Sequence, residues 1–332
     1  MNTRFRTINL HRRYLLGAAV ATVAGVQFGI PTGAAPGQAQ SVSDRARKAE
    51  IGFVAIDPDI TLRSMVMRHP SPKGTVLFLQ GFPETLYAWK DIGESLADDY
   101  EVHAFDWPGY GLSSRPTVER FSYSPRDYAR VLDGYIAKAR IDTTKLTIYA
   151  TDIGALPALL LALDKPDIAR TIIVGDFAPF DRPGYIYESL QSLKADPRRG
   201  LARAQLNRNR EDILENAFRR GLPKEAQFEI SRAFKDDMAQ GWSHGAMTTA
   251  DAFAHYYAHF TRDQNDFESR LGGLRTTVKV IWGEKDLYIR KEMGIEFAKR
   301  IRADLTVHPG IGHYPHLQSP SQTCDEVRAS FR

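Results

Sequence analysis

Leu146-Thr147-Ile148-Tyr149-Ala150-Thr151 is a β-branched, apolar run that passes through Asp152-Ile153-Gly154 into the helical Ala155-Leu156-Pro157-Ala158-Leu159-Leu160. A strand this apolar at every position has no solvated face, and it turns into an equally apolar helix within three residues. Both belong in the interior of a sheet covered on two sides. The turn must be tight, so only small residues fit two positions before and two after its centre, and Ala150 and Gly154 satisfy that demand. Its central residue, Asp152, has two readings. It either caps the helix that follows or stands exposed at the strand end as a carboxylate nucleophile that forms an ester with an electrophilic carbon.

The surrounding chain favours the second reading. Thr75 to Leu79, Val102 to Phe105 and Thr171 to Val174 are short buried-strand patterns, separated by helical spacing over Ala88 to Leu96 and Tyr128 to Ala139. Phe53 to Ile56 and Leu62 to Met67 suggest an antiparallel start. The alternation stops after Pro179 and resumes with Val278 to Trp282, a helix near Lys291 to Ile301, a strand over Leu305 to Val307 and a terminal helix. Between lie helical patterns over Asp212 to Arg220, Lys224 to Met238 and Thr248 to Phe260. The expected class is α/β: a mostly parallel sheet flanked by helices, with residues 50–178 and 263–332 as core and 179–262 as a helical cap over the strand ends, where ligands bind in such sheets.

The ends and the charge narrow the partners. His11-Arg12-Arg13-Tyr14-Leu15-Leu16, an apolar stretch to about Phe28 and the small residues around Gly37-Gln38-Ala39 resemble a bacterial twin-arginine export signal cleaved after Ala39. The stretch is shorter than the roughly 20 residues of a spanning helix. Residues 1–39 are therefore expected to leave a periplasmic or secreted protein without a stable anchor, an uncleaved anchor being the alternative. The four arginines of that segment account for the whole formal charge of +4, so the remainder is formally neutral. No basic stripe argues for nucleic acid; Arg198, Arg199, Arg203, Arg208 and Arg210 are interleaved with Asp196, Glu211 and Asp212, as on a solvated helical face. One cysteine, Cys324, neither staples the fold nor makes a zinc site, and His255 and His259 have helical pair spacing but no third ligand. No metal or cofactor is expected. A homodimer is compatible with the sequence but not read from it.

An aspartyl ester must be hydrolysed, which requires a base to activate water and an acid to orient the base. His313, in Gly310-Ile311-Gly312-His313, follows the last strand pattern; Asp286, in Trp282-Gly283-Glu284-Lys285-Asp286, follows the one before, with Glu284 as the other candidate acid. Nucleophile, acid, histidine is the chain order of the α/β-hydrolase plan. Gln80-Gly81-Phe82-Pro83, after the strand ending at Leu79, is placed so that the Phe82 and Ile153 amides would hold the oxyanion formed when water attacks the ester.

These segments resemble the epoxide hydrolases of the Asp-nucleophile branch that also contains haloalkane and haloacetate dehalogenases. Gln80-Gly81-Phe82-Pro83-Glu84-Thr85 is similar to their His-Gly-Phe-Pro-Glu motif, Asp106-Trp107-Pro108-Gly109-Tyr110-Gly111-Leu112-Ser113 to their Asp-x-x-Gly-x-Gly-x-Ser loop, Asp152-Ile153-Gly154 to their nucleophile turn, and Gly310 to Pro320 to their histidine segment. Gln80 and Ala150 depart from the usual His and Gly. The resemblance implies two lid tyrosines that protonate the epoxide oxygen. Tyr257, in Ala254-His255-Tyr256-Tyr257-Ala258, matches one, and Tyr187 is the candidate for the second. The implied reaction takes a small apolar epoxide and water to a vicinal diol without a cofactor. Displacement of halide from a haloalkane or haloacetate by the same Asp152 is the alternative, although Ile153, Ala155, Leu156 and Phe82 offer no halide-binding N–H side chain and only Trp242 could reach in from the lid. A non-catalytic binding protein that retains the fold is the reading from another class.

Overall fold

All five side chains of Thr75–Leu79 are buried, as are those of Leu146–Thr151 and Thr171–Gly175, and these three strands form the centre of one eight-stranded sheet. The computed structural model describes residues 48–332; the expected leader and its cleavage site lie outside them. In chain order the strands are β1 (Glu50–Ala55), β2 (Thr61–Met67), β3 (Thr75–Leu79), β4 (Glu101–Phe105), β5 (Leu146–Thr151), β6 (Thr171–Gly175), β7 (Thr277–Gly283) and β8 (Leu305–His308). Their spatial order is β1-β2-β4-β3-β5-β6-β7-β8, antiparallel at β1/β2 and β2/β4 and parallel from β4 onward. From β3 the chain steps outward to β4 and then returns to the other side as β5. The carboxyl ends of β3 and β5 therefore open a crevice between connections that leave in opposite directions. Leu79 pairs with Ala150 in that register, which brings the loops beginning at Gln80 and Asp152 side by side.

Helices α1 (Lys90–Leu96), α2 (Pro125–Ala139) and α3 (Ala155–Asp164) connect the first strands. Ser124 caps α2 by accepting from the Asp127 amide, and Pro125 fills its first turn, so this helix begins three residues earlier than the apolar spacing suggests. Eight of the ten residues of α3 are buried; Pro157 lies in its first turn, where no intrahelical N–H is lost.

Between β6 and β7 stand α4 (Glu188–Gln191), α5 (Arg198–Arg208), α6 (Arg210–Asn216), α7 (Arg232–Gly241) and α8 (Thr249–Arg270). The expected helix over 224–238 forms only from Arg232. Phe228 and Ile230 reach the core from an extended stretch at spacing two, and Ser231 caps the helix that follows through the Phe234 amide. The helix expected over 248–260 starts in a Thr248/Asp251 capping box and runs on to Arg270, because Phe260, Gln264 and Phe267 continue its buried face. The expected cap boundary at 262/263 thus falls inside one helix. The helix expected over 212–220 is α6 followed by a 3₁₀ turn at Ala217–Arg219. The arginines of α5 lie on a helix with no buried residue. After β7 come α9 (Lys291–Ile301), α10 (Pro315–Gln318) and α11 (Pro320–Ser330). No helix among the described residues is long and apolar enough to cross a membrane.

A buried ionic network joins the cap to the core. Arg63 on β2 donates Nη1 and Nη2 to the two carboxylate oxygens of Asp237 on α7 (2.7 Å each) and Nε to Asp106 (2.5 Å), while Thr85 Oγ1 donates to Asp237 (2.6 Å). Arg115 adds donors to the carbonyls of Met247 (2.9 Å) and Gly111 (3.1 Å), and to that of Gly241.

Candidate active site

Asp152 has φ of +48°, the left-handed region that costs a residue with a Cβ roughly 1–3 kcal/mol. Two glycines make the strained turn sterically feasible. A Cβ on Gly81 would lie 2.6 Å from both Cβ and Oδ2 of Asp152, and one on Gly154 would lie 3.0 Å from Leu79 Cβ and 3.1 Å from its carbonyl. The turn thus holds the Asp152 carboxylate in the crevice between β3 and β5. There its Oδ2 accepts from the Phe82 amide (2.8 Å) and lies 3.8 Å from His313 Nε2.

His313 is buried, with Nδ1 2.8 Å from Asp286 Oδ2. The Asp286 side chain is fully enclosed, and its other oxygen accepts from the amides of Tyr288 (2.8 Å) and Ile289 (3.0 Å). Glu284, the other candidate acid, turns away from His313 to accept from the Gly310 amide (3.1 Å). Burial alone would push the imidazole below its ordinary value. The Asp286 charge, the hydrogen bond to Asp286 and the Asp152 carboxylate nearby outweigh burial and raise it well above that value. The two flanking carboxylates thus favour the protonated ring.

The segment that carries His313 also supports the Phe82 loop. Tyr314 donates its hydroxyl to the Phe82 carbonyl (2.8 Å), and Glu84 accepts the Gly81 amide (2.8 Å) while contacting His316 Nε2 (2.6 Å), both side chains being fully buried. Gln80, in place of the usual histidine, spans Phe105 O (2.5 Å) and the Trp107 amide (3.3 Å) with its side-chain nitrogen and oxygen. Trp107 Nε1 in turn donates to the Gln80 carbonyl (3.1 Å). Gln80 thus braces the loop and leaves the Phe82 amide in place. Ile153 is buried beyond Asp152, and its carbonyl accepts from the Tyr256 hydroxyl (3.2 Å).

The cavity above Asp152 is lined by Phe82 and His313 from the core, Tyr257, Phe253, Leu206, Ile213 and Ala217 from the cap, and Tyr187, Tyr288 and Arg220 at its sides. It is largely apolar, with a few polar groups converging on one carboxylate, as expected of a small-molecule site. Tyr256 and Tyr257 are adjacent on α8 but point differently: Tyr256 goes to the Ile153 carbonyl and Tyr257 to the cavity. Burial, followed by the Asp152 charge, holds the Tyr257 phenol well above its ordinary value. Tyr187 lines the same cavity but is 38% exposed, ahead of the four-residue α4 and edge-on to Tyr288. Trp242 does not line it; the indole is buried 6.0 Å from the Phe82 ring, behind the cavity wall.

Tyr288 and Asp176 belong to the site and carried no motif. Tyr288 packs edge-on to His313 (5.1 Å), donates to the Ala217 carbonyl (3.1 Å) and is pushed up to about 12 by burial. Asp176 follows the last residue of β6, a strand-end position of the same kind as that of Asp286, and this rule of position is the signal that could have found it. Among the described residues, Asp176, Asp286 and His313 are the one group of three potential ligand atoms, all within 4.8 Å of one another. His313 Nδ1 is committed to Asp286, so the trio is a hydrogen-bonded set rather than an open ligand set. His255 and His259 on α8 do not join it.

The sequence profile of the alpha/beta hydrolase fold family matches residues 74–320, and the chain belongs to this family. Epoxide hydrolase 1 of Caenorhabditis elegans is 21% identical over 273 residues, covering 77% of this chain; the chain spans 64% of that protein's length. Epoxide hydrolase VrEH1 from Vigna radiata superposes with a TM-score of 0.68 at 18% identity, over 85% of this chain and 97% of its own. Haloalkane dehalogenase DbeA from Bradyrhizobium elkani USDA94 does so with 0.68 at 19%, over 86% and 98%. At these identities the structural likeness speaks to the fold.

Proposed function

We propose that the chain opens small apolar epoxides to vicinal diols through an ester on Asp152. The observation that carries this reading is the convergence of one strained carboxylate, a backbone donor at 2.8 Å, a histidine nitrogen at 3.8 Å and the Tyr257 phenol on a single apolar cavity. Asp152 attacks a ring carbon, the carbon–oxygen bond breaks, and Tyr257, assisted by Tyr187, passes a proton to the departing oxygen. Esterification removes the Asp152 charge, one of the influences favouring a protonated His313, so the ring releases that proton to solvent, to be regained when the Asp152 charge returns, and becomes a competent base for the next step. Water, losing a proton to His313, adds to the Asp152 carbonyl carbon while the amides of Phe82 and Ile153 stabilise the oxyanion. Collapse releases the diol, the departing alkoxide taking the proton from His313. The proton left on Asp152 returns to the tyrosinate.

Halide displacement is the second reading, and fluoroacetate-type chemistry is favoured within it by Arg220, a cation on the cavity wall. Asp212 already answers that charge in an ion pair, and no indole lines the cavity to bind halide. Intact-mass measurement of a His313→Gln variant separates the readings. An adduct of the whole epoxide supports ring opening; an adduct of haloalkane or haloacetate minus halide reassigns the site. No adduct from any panel removes the Asp152 nucleophile itself. Export through the twin-arginine leader with cleavage after Ala39 is part of the same proposal, tested by N-terminal sequencing of the periplasmic fraction.

A further inference from the structure

Among the described residues, Asp176 is the carboxylate grouped with Asp286 and His313 that the proposed reaction does not use. It is fully buried, at φ of +52°, and its Oδ1 accepts from the Gly283 amide (2.8 Å), which ties the end of β6 to β7. Its Oδ2 is buried and accepts no hydrogen bond. Within 4.8 Å lie ligand atoms of Asp286 and His313. Asp286 accepts three donors, two amides on one oxygen and His313 Nδ1 on the other, which leaves that second oxygen one lone pair for a further donor. Two carboxyl groups at this separation, enclosed together, do not both ionise cheaply, and a proton lowers the cost most on the oxygen that has no donor. That oxygen is Oδ2 of Asp176.

We infer that Asp176 is a neutral carboxylic acid in the working protein, donating its proton to the Asp286 carboxylate, and that it is a positioning residue for the Asp286–His313 pair. Burial and the adjacent Asp286 charge push Asp176 well above the usual carboxylate range; the His313 charge and the Gly283 amide oppose them and do not prevail. The charged and titratable groups around the pair are Asp152, Asp176 and Asp286 with the phenols of Tyr288 and Tyr314, and Tyr149 is the further group that responds to Asp176. An ionised Asp176 would make three carboxylates around one imidazole and hold it as imidazolium through the ester stage. A neutral Asp176 leaves two, and after esterification one. The assistance to catalysis rests on the proposed function; the protonation state does not.

The test therefore needs no substrate. The full chain is labelled at histidine nitrogen, and the His313 ring is titrated by NMR in the parent protein and in Asp176→Asn. Asparagine keeps a donor toward Asp286 and an acceptor for Gly283, and it tolerates positive φ. If Asp176 is neutral, the substitution changes no charge and the His313 midpoint stays where it was. If Asp176 is ionised, the variant loses a negative charge beside the ring and the midpoint falls by about one unit or more, which overturns the inference. Infrared spectra at neutral pH give an independent reading that survives loss of the variant's fold. The parent shows a protonated-carboxyl carbonyl band that moves on exchange into deuterium oxide, and its absence from the parent overturns the inference by itself. Preserved midpoints with no turnover of any epoxide would break the functional proposal and leave this one standing.

Discussion

Asp152 and Tyr187 line the same cavity and are built in opposite ways. Asp152 is held by a buried strand, a strained turn and close glycine contacts, with the Phe82 amide on its carboxylate. Tyr187 is 38% exposed ahead of a four-residue helix and is fixed mainly through its backbone: its amide donates to Tyr288 O (2.8 Å), next to a bridge between Ile186 and Ile289. Tyr257 lies between these extremes, a lid residue buried on the 22-residue α8. The difference teaches where the chemistry tolerates movement. On the proposed mechanism, the group that forms and loses a covalent bond is locked by the sheet, while the groups that meet a variable substrate are carried by the cap.

The sharpest way to break that comparison is Asp152→Asn. Turnover should fall by about 10⁴-fold or more, as when a covalent nucleophile is removed. The double variant with His313→Gln should show no mass adduct. An adduct persisting in the double variant would move the nucleophile elsewhere and end the argument that the sheet builds the reacting group.

Arg63→Met tests the junction between the two regions. It leaves Asp237 and Asp106 as buried charges without their cation, and breaking such a pair from one side costs about 3–5 kcal/mol. Thermal unfolding should show this as a large drop in Tm. A variant as stable as the parent would mean that the cap is held by its apolar face alone.

Within the lid the expected effects divide. Tyr257→Phe should slow ester formation from an epoxide by about 10²–10⁴-fold, the range for loss of a positioned general acid. Tyr187→Phe should cost less, because its hydroxyl is closer to solvent and water can take part of its role. Single-turnover adduct kinetics in the His313→Gln background measures both. Equal losses would make the two phenols a matched pair and erase the distinction drawn from burial.

The same division explains what the sequence disclosed. Asp152, Asp286 and His313 were legible because strand ends are numbered by the topology: each follows a recognisable apolar run, and the sheet brings those ends together. Asp176 obeys the same rule, but no flanking motif sets it apart from any other acid at a strand end. The cap was less legible, since helical spacing gives an apolar face but not its partner. Phe228 and Ile230 look helical in composition yet serve an extended stretch, and α8 continues to Arg270 because Phe267 finds Phe180 and Phe297, which no local pattern announces. Tyr288 and Arg220 entered the cavity wall for the same reason, through packing between segments distant in sequence.

The smallest expected effect sharpens the comparison from the core side. His313 has its folded value raised above the ordinary one near 6.5, so its contribution to stability is fully present below that ordinary value and is lost as pH rises through the raised folded value. Asp152 supplies part of the raise through its carboxylate charge, 3.8 Å from the ring. Asp152→Asn removes the charge, as esterification would, so the His313 midpoint should fall by about one unit or more. The loss of stability with rising pH should then begin at lower pH than in the parent. Tm measured against pH in both proteins, with the His313 ring followed by NMR, checks the two together. A midpoint that stays put in Asp152→Asn would mean that Asp286 alone sets the protonation of His313, and esterification would then not release the base for the second step.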